Sequence, residues 1–296
     1  MRNLSTDADP VGPIPPGPVG SAPSVALLGS VPVTAPLPAD VRPVDVLIVR
    51  SVTDVTPAVR RVTLTAPAAA VRAAGPTLSL LVPRVEDPAP DWPRIARDGR
   101  IVWPPGSHGI SLRSYTSRRQ EVTGDAPDGE VDIDFVLHGD GPAAAWAAAA
   151  APGAVLGVAS AAPLGDAPAG WLLAAGDETA IPAVSRVLAA AGPDTEGVAL
   201  LEVAGPEEEQ PLAAPPGVEV RWLHRHGTEP GGSSVLVDAV AELPPPGRDD
   251  VFAWVAAESG VVRAVRADLR GRWGLRRAQH HVVGYWRRGR AMAPAG

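Results

Sequence analysis

The pattern of apolar residues changes in the middle of this chain, and the change limits the folds that the chain can adopt. From residues 46–49 onward, short segments such as residues 61–65 alternate apolar and polar side chains between Pro and Gly turns, as antiparallel strands with one solvated face do. From Trp171 onward, apolar strands alternate with helical patterns such as residues 179–191, which indicates a mainly parallel sheet. The sequence therefore predicts an N-terminal antiparallel β-barrel followed by a mainly parallel α/β domain.

Composition divides the chain further. Residues 1–42 are rich in Pro, Gly, Ser and Ala with little periodicity, which is typical of a disordered tail. The length of 296 residues is enough for two domains, and residues 161–169, with their two prolines, are the expected linker. The predicted domains are the barrel, residues 43–165, and the α/β domain, residues 166–296. The proline-rich segment 86–111 has no clear periodicity, so we expect an irregular excursion over the barrel.

Composition also excludes several classes of protein. The chain has no cysteine, which removes disulfides, thiolate zinc sites and Cys-ligated iron–sulfur clusters. Its formal net charge of −7 argues against a general nucleic-acid or anionic-membrane partner, because both need a basic footprint. No run approaches the roughly 20 apolar residues of a membrane span, and the six histidines lack the spacing of a metal site. We expect a cytoplasmic protein with no structural metal, no nucleic-acid partner and no stable membrane association.

Two segments of the barrel half contain the residue types that hold a flavin. Arg113-Ser114-Tyr115-Thr116 combines a guanidinium, an aromatic ring and hydroxyls in a β-rich stretch, and guanidinium groups match phosphate oxygens. Further along, a glycine turn at residues 138–141 precedes Pro142 and an alanine-rich helix. Free N–H groups at a helix start favour an anion, and proline there loses no hydrogen bond. One cofactor could satisfy both segments; the alternative is that Tyr115 and Thr116 alternate across an ordinary strand.

A third polar segment lies in the α/β half. Gly176-Asp177-Glu178-Thr179 follows an apolar strand and begins a helix, and open α/β sheets bind ligands where the carboxyl end of a strand meets a helix. The fingerprint G-x-G-x-x-G is absent, which argues against a standard Rossmann site. Thr179 is either a helix cap or a cofactor contact. Glu258 lies at the corresponding position of a later strand, just before the next helix.

These segments occur in the order of a known family. Residues 113–116, 138–142, 176–182, 254–258 and 284–289 together resemble the siderophore-interacting protein family of FAD-dependent ferric-siderophore reductases. The resemblance runs from about Val44 to Gly289. It implies the ferredoxin-reductase architecture, in which a flavin barrel precedes a nicotinamide domain.

The resemblance implies FAD contacts in the barrel. It places Arg113 at the FAD diphosphate, Tyr115 against the isoalloxazine ring and Thr116 near flavin N5, so that Tyr115 and Thr116 are the expected catalytic residues. His138 is expected to fix the turn or face the cofactor and not to transfer a proton. The other expected FAD contacts are Ser114, Gly141, Pro142 and Ala143.

The resemblance also implies a nucleotide site and a substrate site. The expected NADH or NADPH contacts are Gly176, Asp177, Glu178, Thr179, Arg225 and Glu258. Arg225 is a candidate for the extra ribose phosphate of NADPH, with an ordinary surface arginine as the equal alternative. Siderophore complexes are often anionic, so we expect a local basic set that consists of Arg84, Arg118, Arg287 and Arg288.

The implied reaction passes electrons from NADH or NADPH through FAD to ferric iron in a siderophore. Reduction to the softer Fe(II) weakens its bonds to hard oxygen donors, so the iron is released. Two alternatives stay open. One is a flavin reductase of the same superfamily that acts on a quinone, free flavin or partner protein, and the other is a flavin-bearing siderophore-binding protein with little turnover.

Overall fold

The computed structural model describes residues 40–87, 89–105, 109–137, 141–165 and 170–289. The strands within these ranges are β1 (Val41–Pro43), β2 (Asp45–Thr56), β3 (Val59–Pro67), β4 (Thr77–Val82), β5 (Arg94–Ala96), β6 (Ile101–Val102), β7 (Ser111–Glu121), β8 (Asp128–Val136), β9 (Val155–Ala162), β10 (Trp171–Asp177), β11 (Glu196–Val203), β12 (Gly217–His224), β13 (Val251–Glu258) and β14 (His280–Trp286). The α-helices are α1 (Ala68–Ala73), α2 (Pro142–Ala149), α3 (Ile181–Ala190), α4 (Val235–Glu242) and α5 (Ser259–Gly271).

Six strands close into an antiparallel barrel in the order β2-β3-β8-β7-β4-β9. The alternating pattern of β3 directs Val62 and Leu64 into a core that also contains Leu80 and Ile133, and all four are fully buried. Helix α2 packs against β3, β4, β7 and β8 and adds Trp146 to the same core. The predicted antiparallel barrel is confirmed.

The segment expected to be irregular contains a small sheet. β5 pairs antiparallel with both β1 and β6, in the order β1-β5-β6. Ile95 of β5 packs with Leu81 and Ile110 in an apolar cluster of its own. The structure therefore corrects the expectation for residues 86–111. These strands are short, and one partner lies far away in the sequence, so no local period indicates them.

Five parallel strands form the sheet of the α/β domain, in the order β12-β11-β10-β13-β14. The central strands β10 and β13 are buried along almost their whole length, because helices cover both faces of a parallel sheet. Helix α3 packs on one face with Leu172 and Trp254. Helices α4 and α5 pack on the other face with Leu173 and Val255. The predicted α/β domain is confirmed.

The strand order reverses beside β10, which has β11 on one side and β13 on the other. Such a reversal opens a crevice at the carboxyl ends of the two flanking strands, where open α/β sheets bind ligands. The polar segment at residues 176–179 ends β10 and therefore borders this crevice.

Side-chain hydrogen bonds join the two domains. Arg186 of α3 donates to the carbonyl oxygen of Ser117 on β7 (2.5 Å) and to its hydroxyl (3.0 Å). Glu208 accepts from the backbone N–H of Ala58 (2.9 Å) and from the hydroxyl of Thr56, beside the β2–β3 turn. The first contact holds β7, the strand with the predicted flavin residues, against the α/β domain.

Candidate functional site

Arg113 lies on β7 opposite Leu80 of β4. It is half-buried, and its Nη1 donates to the carbonyl oxygen of Leu112 at 2.7 Å. Within the described ranges it forms no ion pair with a carboxylate. Ser114, the next residue, is exposed. A half-buried guanidinium with donors to spare suits a phosphate ligand.

Tyr115 connects β7 with the barrel interior. Its ring packs against Phe135 of β8 with centroids 4.7 Å apart, and Phe135 packs against Trp146 of α2 with centroids 5.6 Å apart. Burial raises the pKa of Tyr115 to about 12, against the opposing charge of Arg113. The phenol therefore stays neutral at physiological pH, and the aromatic row joins the two segments predicted to hold FAD.

Thr116 is buried where the two domains meet. Its side chain lies near Tyr285 of β14, whose ring lies edge-on to Trp254 with centroids 6.3 Å apart. Burial raises the pKa of Tyr285, and the side chain of Thr116 opposes that rise. The sequence patterns assign no role to Tyr285; an aromatic residue inside the closing block 284–289 is the signal that could have found it.

Helix α2 begins without a side-chain cap. Gly141 is the N-cap residue, Pro142 follows it, and the first turn contains no acidic residue. The first N–H groups of an α-helix have no intrahelical partner. Among the described residues, the chain neighbours of Gly141 aside, no heavy atom lies within 4 Å of the position that a Cβ at Gly141 would take. At the other end, Arg60 donates to the carbonyl oxygen of Ala148 at 2.7 Å, which favours the negative end of the helix dipole. His138 lies outside the described residues.

These groups fit an FAD molecule. The free donors of Arg113 and the N–H groups at Ala143 and its neighbours suit a diphosphate, and the uncharged ring of Tyr115 suits an aromatic ring system. Among the residues that the structure describes, no carboxylate pairs with Arg113 or lies in the first turn of α2. The chemistry of the donor set therefore agrees with the cofactor.

Asp177 joins three strand ends of the α/β sheet. Its Oδ1 accepts from the N–H (3.1 Å) and the hydroxyl (2.5 Å) of Thr179. Its Oδ2 accepts from the N–H of Glu258 (3.0 Å) and from the indole N–H of Trp286 (2.7 Å). Thr179 is thus bound into the cap of the 3-10 helix Glu178–Ala180. Asp177 is buried, and its contacts fix the walls of the crevice.

Gly176 and Glu258 also have packing and capping contacts. A Cβ at Gly176 would lie 2.4 Å from both the side chain of Ala180 and the carbonyl oxygen of Ala256, so β10 and the following turn approach β13 too closely for a side chain. Glu258 caps α5 by accepting from the N–H of Val261 at 3.2 Å. Both residues shape the crevice, and their contact with a nucleotide stays a prediction.

Arg225 lies in a buried ion-pair cluster. Its side chain is 3% exposed, it pairs with Glu178, and its Nη1 lies 3.6 Å from Oε1 of Glu202. Burial raises the pKa of Glu202 to about 7. The positive charge of Arg225 opposes this rise, and the negative charges of Asp177 and Glu178 add to it. This placement corrects the alternative of an ordinary surface arginine, since the charge of Arg225 faces two carboxylates from neighbouring strand ends. The contact of Arg225 with a ribose phosphate stays a prediction.

The four arginines predicted to bind the substrate occupy three different surroundings. Arg84 is exposed and lines a cavity of about 110 Å³ beside α2. Arg118 is half-buried between the domains, where its Nη2 donates to the carbonyl oxygen of Pro211 at 3.5 Å. Arg287 and Arg288 are exposed at the end of β14. Within the described ranges, no hydrogen bond or ion pair joins the four, and their shared role stays a prediction.

Two absences concern membranes and metals in the described part of the chain. None of its helices is both long and apolar enough to cross a membrane. In the same ranges, no three His, Asp or Glu side chains are grouped so that they could hold a metal ion.

The described part of the chain has the ferredoxin-reductase-like fold, in which a closed barrel precedes an α/β domain with a parallel sheet. Family models cover both halves of the chain: residues 48–166 match the siderophore-interacting FAD-binding domain, and residues 169–289 match the siderophore-interacting protein model. The chain belongs to the siderophore-interacting protein family.

Several relatives are similar along most of the chain. Ferric vibriobactin reductase ViuB of Vibrio cholerae is 34% identical over 200 residues, which are 66% of this chain and 70% of ViuB. The crystal structure of a siderophore utilization protein from T. fusca is similar with a TM-score of 0.72 and 32% identity, over 85% of this chain and 95% of that one. The crystal structure of the siderophore-interacting protein SipS from Aeromonas hydrophila is similar with a TM-score of 0.68 and 29% identity, over 85% of this chain and 93% of that one. The chain is therefore a siderophore-interacting FAD-binding protein related to flavin oxidoreductases.

Proposed function

We propose that this protein is an FAD-dependent reductase that uses a reduced nicotinamide nucleotide to reduce ferric iron held by a siderophore. The observation that carries the proposal is the contact between the domains, in which Arg186 of α3 donates to the carbonyl oxygen (2.5 Å) and the hydroxyl (3.0 Å) of Ser117 on β7. It sets the strand with the predicted flavin residues beside the carboxyl ends of the parallel strands, where such sheets bind ligands. Donor and flavin would then share one crevice between the domains.

Each barrel residue has a defined task in this proposal. Arg113 and the first N–H groups of α2 bind the diphosphate. Tyr115 offers an uncharged aromatic surface, because its pKa of about 12 keeps the phenol protonated. Thr116, which pairs with Thr77 of β4 in the barrel, presents its hydroxyl or backbone amide to the reacting part of the ring system.

FAD, when bound, accepts two electrons as a hydride and gives them up singly, which matches a two-electron donor to a one-electron ferric acceptor. One nucleotide therefore reduces two ferric centres. The chain needs no ligand to the iron, because Fe(III) prefers hard oxygen donors and the softer Fe(II) leaves them more readily. The exposed Arg287 and Arg288 at the end of β14 favour an anionic ferric siderophore as substrate.

Two anaerobic half-reactions of the purified holoprotein test the proposal. NADH or NADPH should bleach the visible flavin absorption, and a ferric siderophore should restore it while a ferrous chelator traps Fe(II). Free FAD at the same concentration is the control for reduction without the protein. Recovery with a quinone or free flavin but not with any ferric siderophore would identify a flavin reductase of another kind. Siderophore binding without nucleotide oxidation would identify a binding protein.

A further inference from the structure

The ends of three strands in the α/β domain carry an excess of negative charge. We call the residues that end β10, β11 and β12 and begin the following turns, residues 177–178, 202–209 and 224–229, the donor edge. Its acidic residues are Asp177, Glu178, Glu202, Glu207, Glu208, Glu209 and Glu229. Its basic residues are His224, Arg225 and His226. Carboxylates outnumber cations at the donor edge even when both histidines are protonated.

The one arginine of the donor edge is not available to an incoming anion. The side chain of Arg225 is 3% exposed and already faces Glu178 and Glu202. Its Nε and Nη1 and the Oε2 atom of Glu202 are buried and have no hydrogen-bond partner among the described residues. A guanidinium that faces two carboxylates leaves no net positive charge, and charges act strongly on each other in such a water-poor place.

Of the other acidic residues, some bind partners within the protein and some are exposed to solvent. Glu208 binds Thr56 and Ala58 of the barrel, and Glu209 pairs with His224 at 2.8 Å. Glu207 is exposed, and its carboxylate lies against Gly205 in the turn after β11. The surface of the donor edge therefore adds negative charge to that of the buried cluster.

We propose that the donor edge selects NADH over NADPH, with Glu202 as the specificity-determining residue and Glu178 as its partner. The inference rests on the proposed function, because it concerns the electron donor of that reaction. β10, β11 and β12 form the first half of a sheet with the doubly wound strand order, and that half receives the adenosine part of a dinucleotide. The two nucleotides differ in the phosphate on the adenosine ribose.

Electrostatic repulsion explains why the donor edge would favour NADH over NADPH. A phosphate monoester carries a charge of about −1.5 to −2 at neutral pH. At the donor edge it meets unneutralised carboxylates and a guanidinium that is already paired. A ribose hydroxyl meets no such repulsion. The effect acts through charge at a distance and needs no direct contact between Glu202 and the ribose.

Binding and reduction are measured on the holoprotein. Calorimetry should show that ADP-ribose binds at least about tenfold more tightly than 2′-phospho-ADP-ribose, and stopped-flow reduction should show a similar preference for NADH over NADPH. Rising ionic strength should reduce both preferences, because salt screens exposed charges over about 8 Å at physiological concentration.

Variants assign the effect to the donor edge. At about pH 8, above the pKa of Glu202, Glu202→Gln removes one negative charge with little change in shape, and it should shrink the preference by about threefold or more. The matched control is Glu196→Gln, at the opposite end of the same strand, where Glu196 is exposed and pairs with Arg248; it should leave the preference unchanged. Glu207→Gln, at an exposed position, tests the same charge effect if Glu202→Gln does not fold.

Equal use of both nucleotides, or a preference for NADPH, would overturn the inference. An unchanged preference in folded Glu202→Gln would overturn the role of that residue. If neither nucleotide binds or reduces the flavin, the inference is wrong. The proposed reduction of iron is then judged separately, by mixing chemically reduced holoprotein with a ferric siderophore and measuring Fe(II).

Discussion

Arg113 differs from other arginines of the barrel in its partners. Arg61 pairs with Asp134 at 2.6 Å, and Arg119 pairs with Asp132 at 2.7 Å. Arg113 has no such carboxylate within the described ranges and donates to a backbone carbonyl. Because no carboxylate balances its charge, the guanidinium of Arg113 can offer that charge and most of its N–H donors to an anionic ligand.

Replacing Arg113 with Ala should therefore weaken FAD binding by roughly 1.5–3 kcal/mol, the range for hydrogen bonds to charged groups. The affinity of the apoprotein is measured by quenching of FAD fluorescence. Arg270→Ala, at an exposed position on α5, is the control and should bind as the wild type does. An unchanged affinity in Arg113→Ala would place the diphosphate elsewhere.

Glu202 links the donor edge to the pH dependence of stability. Its pKa rises from 4.5 in the unfolded chain to about 7 in the folded protein. Below 4.5 both states hold the proton. Between these values the unfolded chain releases the proton and the folded protein keeps it, so the stability from this group is lost as the pH rises towards 7.

Glu202→Gln cannot ionise and should therefore gain stability relative to the wild type between about pH 5 and pH 8, by on the order of 1–3 kcal/mol. Chemical denaturation of the two proteins at both pH values, with equal FAD content, measures the difference. Glu196→Gln controls for the loss of a surface charge. A difference that does not change with pH would contradict the raised pKa of Glu202.

At the scale of the element, helix α2 is built to leave its N-terminus free. Its residues are almost all alanine, it has no side-chain cap, and no acidic residue lies in its first turn. Acidic side chains in that turn usually stabilise a helix, so their absence keeps the positive end of the dipole for a ligand. Arg60 binds Ala148 at the other end and supplies the favourable charge there.

Ala144→Glu adds a carboxylate to the first turn of α2. It should lower FAD affinity by about tenfold or more, through repulsion of the diphosphate, while it leaves the thermal stability of the apoprotein unchanged or higher. Ala144→Gln has nearly the same shape without the charge and is the matched control. Equal FAD affinity in the two variants would show that the diphosphate does not bind at this helix.

The sequence predicts elements with a regular period and misses those without one. Alternation in β3 and the apolar faces of α3 and α5 are visible in the sequence, and the structure contains these elements. Helix α4 is rich in valine, a residue that favours strands. Helix α1 has six residues, too few for a helical period. The role of Arg225 depends on two partners, from the ends of β10 and β11, and a local motif contains no information about such partners.

At the scale of the whole molecule, the candidate site forms where the domains meet. Arg186 binds Ser117, and Glu208 binds Thr56 and Ala58. These pairs are distant in the sequence, so the pattern of each half predicts its fold but not this contact. This contact between the domains places β7, the donor edge and the two arginines that follow β14 in one arrangement.

Substitution of Arg287 and Arg288 tests whether siderophore binding and flavin reduction by the nucleotide use different residues. Changing both to Gln should raise the KM for an anionic ferric siderophore severalfold and flatten its salt dependence, because the removed charges are screened over about 8 Å. Flavin reduction by the nucleotide should stay nearly unchanged. The control is Arg276→Gln with Arg277→Gln, a second exposed pair just before β14. Loss of flavin reduction with intact siderophore affinity would move the Arg287–Arg288 pair to the nucleotide site.

The central claim is that bound FAD delivers electrons to siderophore-bound iron, and the yield of Fe(II) per bound FAD tests it most directly. Holoprotein is reduced without oxygen, freed of excess reductant and mixed with a ferric siderophore in the presence of a ferrous chelator. The proposed function predicts about two Fe(II) per FAD, formed faster than with the same amount of free reduced FAD. A protein that holds no FAD, or one whose reduced flavin releases no Fe(II), would contradict it.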